Sequence, residues 1–222
     1  MEFIFMLTQN DRTVADCLEV FDAIRPVELK HVGFKDVGAE FATLSELNRR
    51  IKDSGATSYL EVVNMSLERC RESARAALQI GVDRLMGGTE VDAVLEILAG
   101  SSIAYYPFPG HPAGHPTTLG GTPEDVAAHC AAFMAKGCAG ADLLAYRAIN
   151  AEPLALVKAA RDALGTGHLI VAGSVDSPER VHALAEAGTD AFTIGTAVFD
   201  GSFSSHKGAI GSRLNDVLAA CP

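Results

Sequence analysis

Short apolar runs alternate with helical patterns along all 222 residues, and this alternation restricts the fold more than any other feature of the chain. Eight runs read as strands: Phe3 to Leu7, Leu29 to Phe34, Ser58 to Val63, Arg84 to Met86, Ile103 to Tyr106, Leu143 to Tyr146, Leu169 to Ala172 and Ala191 to Ile194. Between and after them, helices are predicted near Thr13 to Ala23, Leu44 to Ser54, Leu67 to Ile80, Val91 to Ala99, Pro123 to Lys136, Pro153 to Leu164, Pro178 to Ala187 and Gly211 to Ala220. Parallel strands need crossover connections, and helices supply them. Eight strands and eight helices in strict alternation close more readily into a barrel than into an open sheet. The length sits near the lower limit of about 200 residues for such a barrel. The expectation is one α/β unit over residues 1–222, a single (β/α)8 barrel.

The two halves of the chain echo each other. Gly81, Asp83, Gly88, Thr89 and Val91 recur, with every spacing kept, as Gly188, Asp190, Gly195, Thr196 and Val198. A weaker match sets Lys35, Ala39, Glu40 and Leu44 against Arg147, Ala151, Glu152 and Leu156. These pairs place unit 4 over unit 8 and unit 2 over unit 6, an internal half-barrel repeat.

Composition narrows the partners. A formal charge of −10 disfavours nucleic acid and anionic membrane surfaces, so any anion has to be held by a local positive site. No run approaches the roughly 18 apolar residues of a membrane span, and Met1 to Leu7 lacks the basic start of a signal peptide. The expected location is the cytoplasm. Cys17, Cys70, Cys130, Cys138 and Cys221 form an odd set without CxxC spacing, which reads as packing rather than as disulfides or a zinc knuckle. No metal and no cofactor are expected, and the copy number stays open, a homo-oligomer included.

The most informative stretch is Leu169 to Phe203. An apolar run ends in Gly173-Ser174, and Asp176, Ser177 and Pro178 then open a helix. A second run ends in Gly195-Thr196. Both strands finish in small residues whose backbone N–H groups point outward beside a helix start, a setting that attracts anions. The arrangement resembles the seventh and eighth units of the phosphate-binding (β/α)8 (TIM) barrels, particularly the histidine-biosynthesis isomerase and cyclase and the ribulose-phosphate-binding barrels, and Phe199 to Phe203 looks like the end of the isomerase's eighth unit. The resemblance implies a phosphate held by Gly173, Ser174, Gly195 and Thr196, hence a small phosphorylated metabolite as partner. Through the repeat it also implies a second anion site at Gly87, Gly88 and Thr89. Against that second site, Val63 to Ser66 carries side chains where the isomerase has a glycine-rich loop. The isomerase's aspartate positions read Leu7 to Asn10 and Tyr146 to Ala148 here, with Asp11 late enough to cap a helix. The Asp-x-Lys-x-x-Asp motif of the decarboxylase relatives is missing, so neither specific reaction is assigned.

Strand alternation sorts the remaining polar residues. Lys35 points inward near the mouth, Asp36 outward, and Arg147 and Arg84 also fall on inward faces. Buried cations need acids, and Glu61 is the candidate partner of Lys35 or Arg84. Lys35, Glu61 and Arg147 are the candidate catalytic residues: an amine that either forms an imine, which requires a pKa near 7 to 8, or stays charged and stabilises an enolate; a base; and an oxyanion or carboxylate partner. Pro107 to Thr122, rich in proline and glycine, is read as a long irregular wall or lid carrying His111 and His115. The leading expectation is an isomerase or lyase of a sugar-phosphate-like carbonyl compound. The alternatives are a flavin-phosphate oxidoreductase, since IGTAVF also resembles the phosphate grip of flavin barrels, and a non-catalytic phosphometabolite-binding barrel.

Overall fold

The computed structural model describes residues 1–204 and 208–222. Its parallel strands are β1 (Glu2–Met6), β2 (His31–Lys35), β3 (Thr57–Val62), β4 (Arg84–Gly87), β5 (Ala104–Tyr106), β6 (Gly140–Leu143), β7 (His168–Val171) and β8 (Ala191–Ile194). They are hydrogen-bonded in the order β6-β7-β8-β1-β2-β3-β4-β5. Two backbone bonds, Ala139 N–H to Tyr105 O and Asp142 N–H to Pro107 O, both 3.0 Å, bring β6 back to β5 and close the circle. The fold is a (β/α)8 barrel.

Around it lie α1 (Cys17–Ile24), α2 (Phe41–Asp53), α3 (Leu67–Ile80), α4 (Val91–Leu98), α5 (Pro123–Ala135), α6 (Pro153–Leu164), α7 (Pro178–Glu186), the single turn α8 (Thr196–Phe199) and α9 (Ile210–Ala220). The sequence starts several of them. Thr122 and Asp125 form a reciprocal capping box on α5. Ser177 Oγ accepts the Arg180 N–H on α7, whose first turn holds Pro178.

Alternation divides the buried apolar residues into two sets. One face of each strand packs against the helices, with Phe5, Phe34, Leu60, Leu85 and Val171 at little or no exposure. The other fills the barrel with Ile4, Met6, Tyr59, Met86, Tyr106, Ile170 and Ala191. Register extends the inner face: Lys35 pairs with Glu61, Glu61 with Met86, and Asp142 with Ile170. Laterally paired residues of a parallel sheet share a face, so Lys35, Glu61 and Asp142 all point inside.

The internal repeat has a physical basis at the opposite end of the barrel. Gly81 and Gly188 have left-handed φ values of 77° and 86° just after α3 and α7. Two residues later, Asp83 accepts the Ser58 N–H at 2.9 Å and pairs with Lys52 at 3.0 Å. Asp190 does the same for the Leu169 N–H and Arg161, both at 2.7 Å. Each aspartate thus ties the start of the preceding strand to the end of the helix that leads into that strand.

Three local expectations are corrected. Thr13 belongs to a hairpin, Thr8–Gln9 against Arg12–Thr13, rather than to α1. Its Oγ1 accepts the Lys35 N–H and donates to the Lys35 carbonyl, both at 2.8 Å, which fastens the hairpin to the end of β2. β6 ends at Leu143, and Ala145–Arg147 is a turn of 3-10 helix, because the strand starts three residues earlier than its apolar run suggests. The stretch 107–122 is not irregular throughout: His111–Ala113 and Thr118–Gly120 pair as a second hairpin.

Candidate functional site

The first hairpin turns at Asn10-Asp11, with φ of 52° and 58° at consecutive residues, the left-handed pair that a two-residue type I′ loop demands. This turn carries Asp11 over the end of β2. There Lys35, 6% exposed, lies between two carboxylates: Nζ is 2.9 Å from Asp11 Oδ1 and 3.1 Å from Glu61 Oε1. Arg147 grips the same aspartate from the other side in a two-pronged pair, Nη1 to Oδ2 and Nη2 to Oδ1, both 2.9 Å. Nη1 also donates to the Thr117 carbonyl of the second hairpin at 3.3 Å.

These four side chains floor a cavity of about 310 Å³ whose wall includes Gly173, Ser174, Gly195 and Thr196. Both glycines are sterically obligatory. A Cβ at Gly173 would lie 2.3 Å from Arg147 Nε, so the guanidinium rests directly on that turn, and the φ of 76° excludes other residues further. A Cβ at Gly195 would lie 2.6 Å from Thr8 Oγ1. Ser174 holds a left-handed φ of 57° without being glycine, local strain of the kind that clusters at functional sites. Among the described residues no carbonyl accepts the N–H of Gly173, Ser174 or Thr196. Arg180 donates to the Ser174 carbonyl and stacks over the Tyr146 ring, 4.6 Å from its centroid, adding a second cation beside the turn. Two acids share the wall, but Asp176 pairs with Arg180 at 2.9 Å and Asp200 accepts the Ser202 N–H at 2.8 Å.

Charge states follow from these contacts. Burial works against the Lys35 ammonium, but Glu61 and Asp11 outweigh it and push the pKa above that of a free lysine. Burial would raise the Asp11 pKa. Arg147 and Lys35 reverse the effect and hold the carboxyl well below the usual range. Asp142 is the opposite case. It has no exposure and no hydrogen-bond partner on either oxygen, and burial, with Glu61 nearby, drives its pKa far upward.

The structure therefore brings Lys35, Glu61 and Arg147 around one cavity with Gly173, Ser174, Gly195 and Thr196. It places other candidates elsewhere. Gly87, Gly88 and Thr89 do not line this cavity; Gly87 packs against Phe108 and the Val62 carbonyl, and Thr89 Oγ1 donates to the Met65 carbonyl. His111 lies 3.7 Å from Asp125 and edge-on to His129, against α5 rather than over the mouth. His115 is exposed, and Pro116 is the residue of that loop that reaches the cavity. Arg84 points inward at the other end of the barrel, over the Tyr59 ring, so Glu61 serves Lys35 instead. Asp36 faces α3, where Ser73 Oγ donates to it. Among the described residues no group of three or more His, Cys, Asp or Glu side chains could hold a metal ion.

Asp11 is a site residue misread as a helix cap; the Asn-Asp pair is a hairpin signal that could have found it. Asp142 was hidden because Gly140-Ala141-Asp142 does not look like a strand start. Arg180 shows no signal beyond its place in the first turn of α7.

No protein-family model and no curated protein matches the chain. Solved structures do. Orotidine 5'-phosphate decarboxylase from Pyrococcus horikoshii OT3 superposes with a TM-score of 0.65 at 13% identity, over 97% of this chain and 99% of that one. N-(5'-phosphoribosyl)anthranilate isomerase from Pyrococcus furiosus gives 0.66 at 11%, over 99% and 98%. The likeness is one of architecture. Thiamine phosphate pyrophosphorylase from Pyrococcus furiosus, with a TM-score of 0.59 at 13% identity over 100% and 97%, has the same architecture. At such identities the shared property is the fold, and function has to be argued from the site.

Proposed function

We propose that this chain is an enzyme that moves a proton on a small phosphorylated carbonyl compound. The phosphate lies against the Gly173-Ser174 and Gly195-Thr196 turns, whose free N–H groups and flanking Arg147 and Arg180 suit an anion. Lys35 stays an ammonium and stabilises the negative charge that develops on the carbonyl oxygen, Glu61 removes the proton beside it, and Arg147 with Asp11 fixes the amine's position.

The observation that carries this reading is the seat of Lys35 between two carboxylates at the floor of the cavity. An imine-forming lysine needs a neutral amine; this one is surrounded by groups that keep it charged. Acid-base isomerisation is thereby favoured over imine-based bond cleavage. The similar structures whose names contain a phosphate compound support a phosphorylated substrate class.

The test is deuterium exchange from solvent into a panel of sugar phosphates and phosphorylated keto acids, alongside borohydride treatment. The expected result is exchange that Lys35→Met abolishes, with no covalent adduct. A borohydride-trapped adduct on Lys35 would replace enolisation with imine chemistry, and exchange surviving in Lys35→Met would remove the amine from the mechanism.

A further inference from the structure

Three carboxyl groups, those of Asp11, Glu61 and Asp142, share the upper barrel interior with two cations, Lys35 and Arg147. Full ionisation would leave a surplus negative charge in the barrel interior. The contacts show where the surplus falls. Asp11 is bonded to both cations and Glu61 to Lys35, whereas neither oxygen of Asp142 meets a donor, and the residue has no exposed surface. An isolated buried carboxylate is too costly to persist, and a carboxylic acid without a partner is much cheaper. The ionisable groups whose charges reach Asp142 are Glu61 from β3, Lys35 from β2 and Arg147 from the turn after β6. Two further neighbours are uncharged: its register partner Ile170 on β7, and Pro107, whose carbonyl accepts the Asp142 N–H.

We propose that Asp142 is the neutral member of this cluster, a carboxylic acid whose retained proton leaves Glu61 ionised. It does not line the cavity, so it acts as a positioning residue through Glu61. With Asp142 neutral, two carboxylates balance two cations before reaction. When Glu61 takes a substrate proton, its own charge is lost and the enolate supplies the replacement, so the cluster stays balanced through the step. This role rests on the enolisation reading, whereas the protonation state can be measured without any substrate.

The experiment is infrared spectroscopy of the intact protein across pH, with hydrogen–deuterium substitution to mark protonated carboxyl groups. A carboxylic-acid band that persists at neutral pH in the wild type and is missing in Asp142→Asn is the expected result; no such band at neutral pH overturns the proposal. Glu61→Gln removes the neighbouring negative charge and should lower the pH at which the band disappears. An unchanged titration refutes the coupling to Glu61. Equilibrium unfolding gives an independent reading: the folded wild type keeps a proton that the unfolded chain releases near pH 4, so its folding constant should fall relative to Asp142→Asn by about tenfold per pH unit above that point, until Asp142 itself ionises. Parallel curves contradict a neutral Asp142, and Asp142→Leu serves for the same comparison if the amide does not fold. A failure of deuterium exchange in the substrate panel leaves these results untouched, so the two claims fall separately.

Discussion

The barrel interior carries ionisable residues at both ends, built very differently. At the mouth, Lys35, Asp11, Glu61 and Arg147 meet at 2.9 to 3.1 Å, and a cavity opens beside them. At the base, Glu2 faces Arg84 at 3.9 Å, His31 at 3.8 Å and His168 at 3.7 Å, and the guanidinium lies 5.2 Å and 5.8 Å from the ring centroids of Tyr59 and Tyr106. Inward alternation explains why both sets are inside. The difference lies in what they face. The lower set is partly exposed, and its loose pairs and aromatic contacts suit a plug. The upper set is tightly bonded, so its charges are oriented before any ligand arrives, the condition under which fixed charges stabilise a reacting group well.

Single substitutions can break this contrast. The largest effect is expected from Lys35→Met, which leaves Asp11 and Glu61 without the ammonium they share. Denaturant unfolding at neutral pH should show a loss of about 3–5 kcal/mol, the usual cost of removing one partner of a buried pair. Arg84→Met at the base should cost about 1 kcal/mol, because its contact with Glu2 is 3.9 Å long and makes no hydrogen bond. Equal losses would erase the distinction between the two ends. Next comes Gly173→Ala, which places a methyl group against Arg147 at a φ of 76°. A loss of about 1–3 kcal/mol is expected from strain, together with loss of any thermal protection by inorganic phosphate; the same change at Gly55, where a Cβ meets nothing within 4 Å, should leave that protection intact.

The smallest effect belongs to the base. Burial lowers the pKa of both His31 and His168, outweighing the carboxylates near them. The unfolded chain therefore takes up protons first as pH falls below about 6.5, and the stability these residues contribute is lost through that range. His168→Gln should flatten this fall by a fraction of the roughly 1.4 kcal/mol that each pH unit carries for a fully uncompensated proton. A steeper fall in the variant would mean that the charged imidazole stabilises the plug by pairing with Glu2.

Much of this was legible in the residues. Eight apolar runs with crossover helices yield the barrel because parallel strands have few other ways to bury both faces. Lys35 and Glu61 could be oriented because β2 and β3 stay regular through those positions. Arg147 was expected near the mouth from strand alternation, yet it arrives there on a 3-10 turn after β6 has ended. Asp11 and Asp142 escaped for separate reasons. Asp11 depends on a two-residue loop that is fastened by tertiary bonds, Thr13 to Lys35 and Val37 among them. Asp142 interrupts an apolar pattern at a position where a polar residue argues against a buried strand. The half-barrel repeat is legible in part through the base of the barrel, where its matched aspartates Asp83 and Asp190 tie strands to helices.

In the proposed function the two late turns and the Lys35 cluster serve one ligand. A crystal structure of the protein soaked in inorganic phosphate tests it most directly. The expected result is an anion within hydrogen-bond distance of the Gly173, Ser174 and Thr196 N–H groups, on the Arg147 side of the cavity. Phosphate bound at Gly87 to Thr89 instead, with these turns left bare, would contradict it.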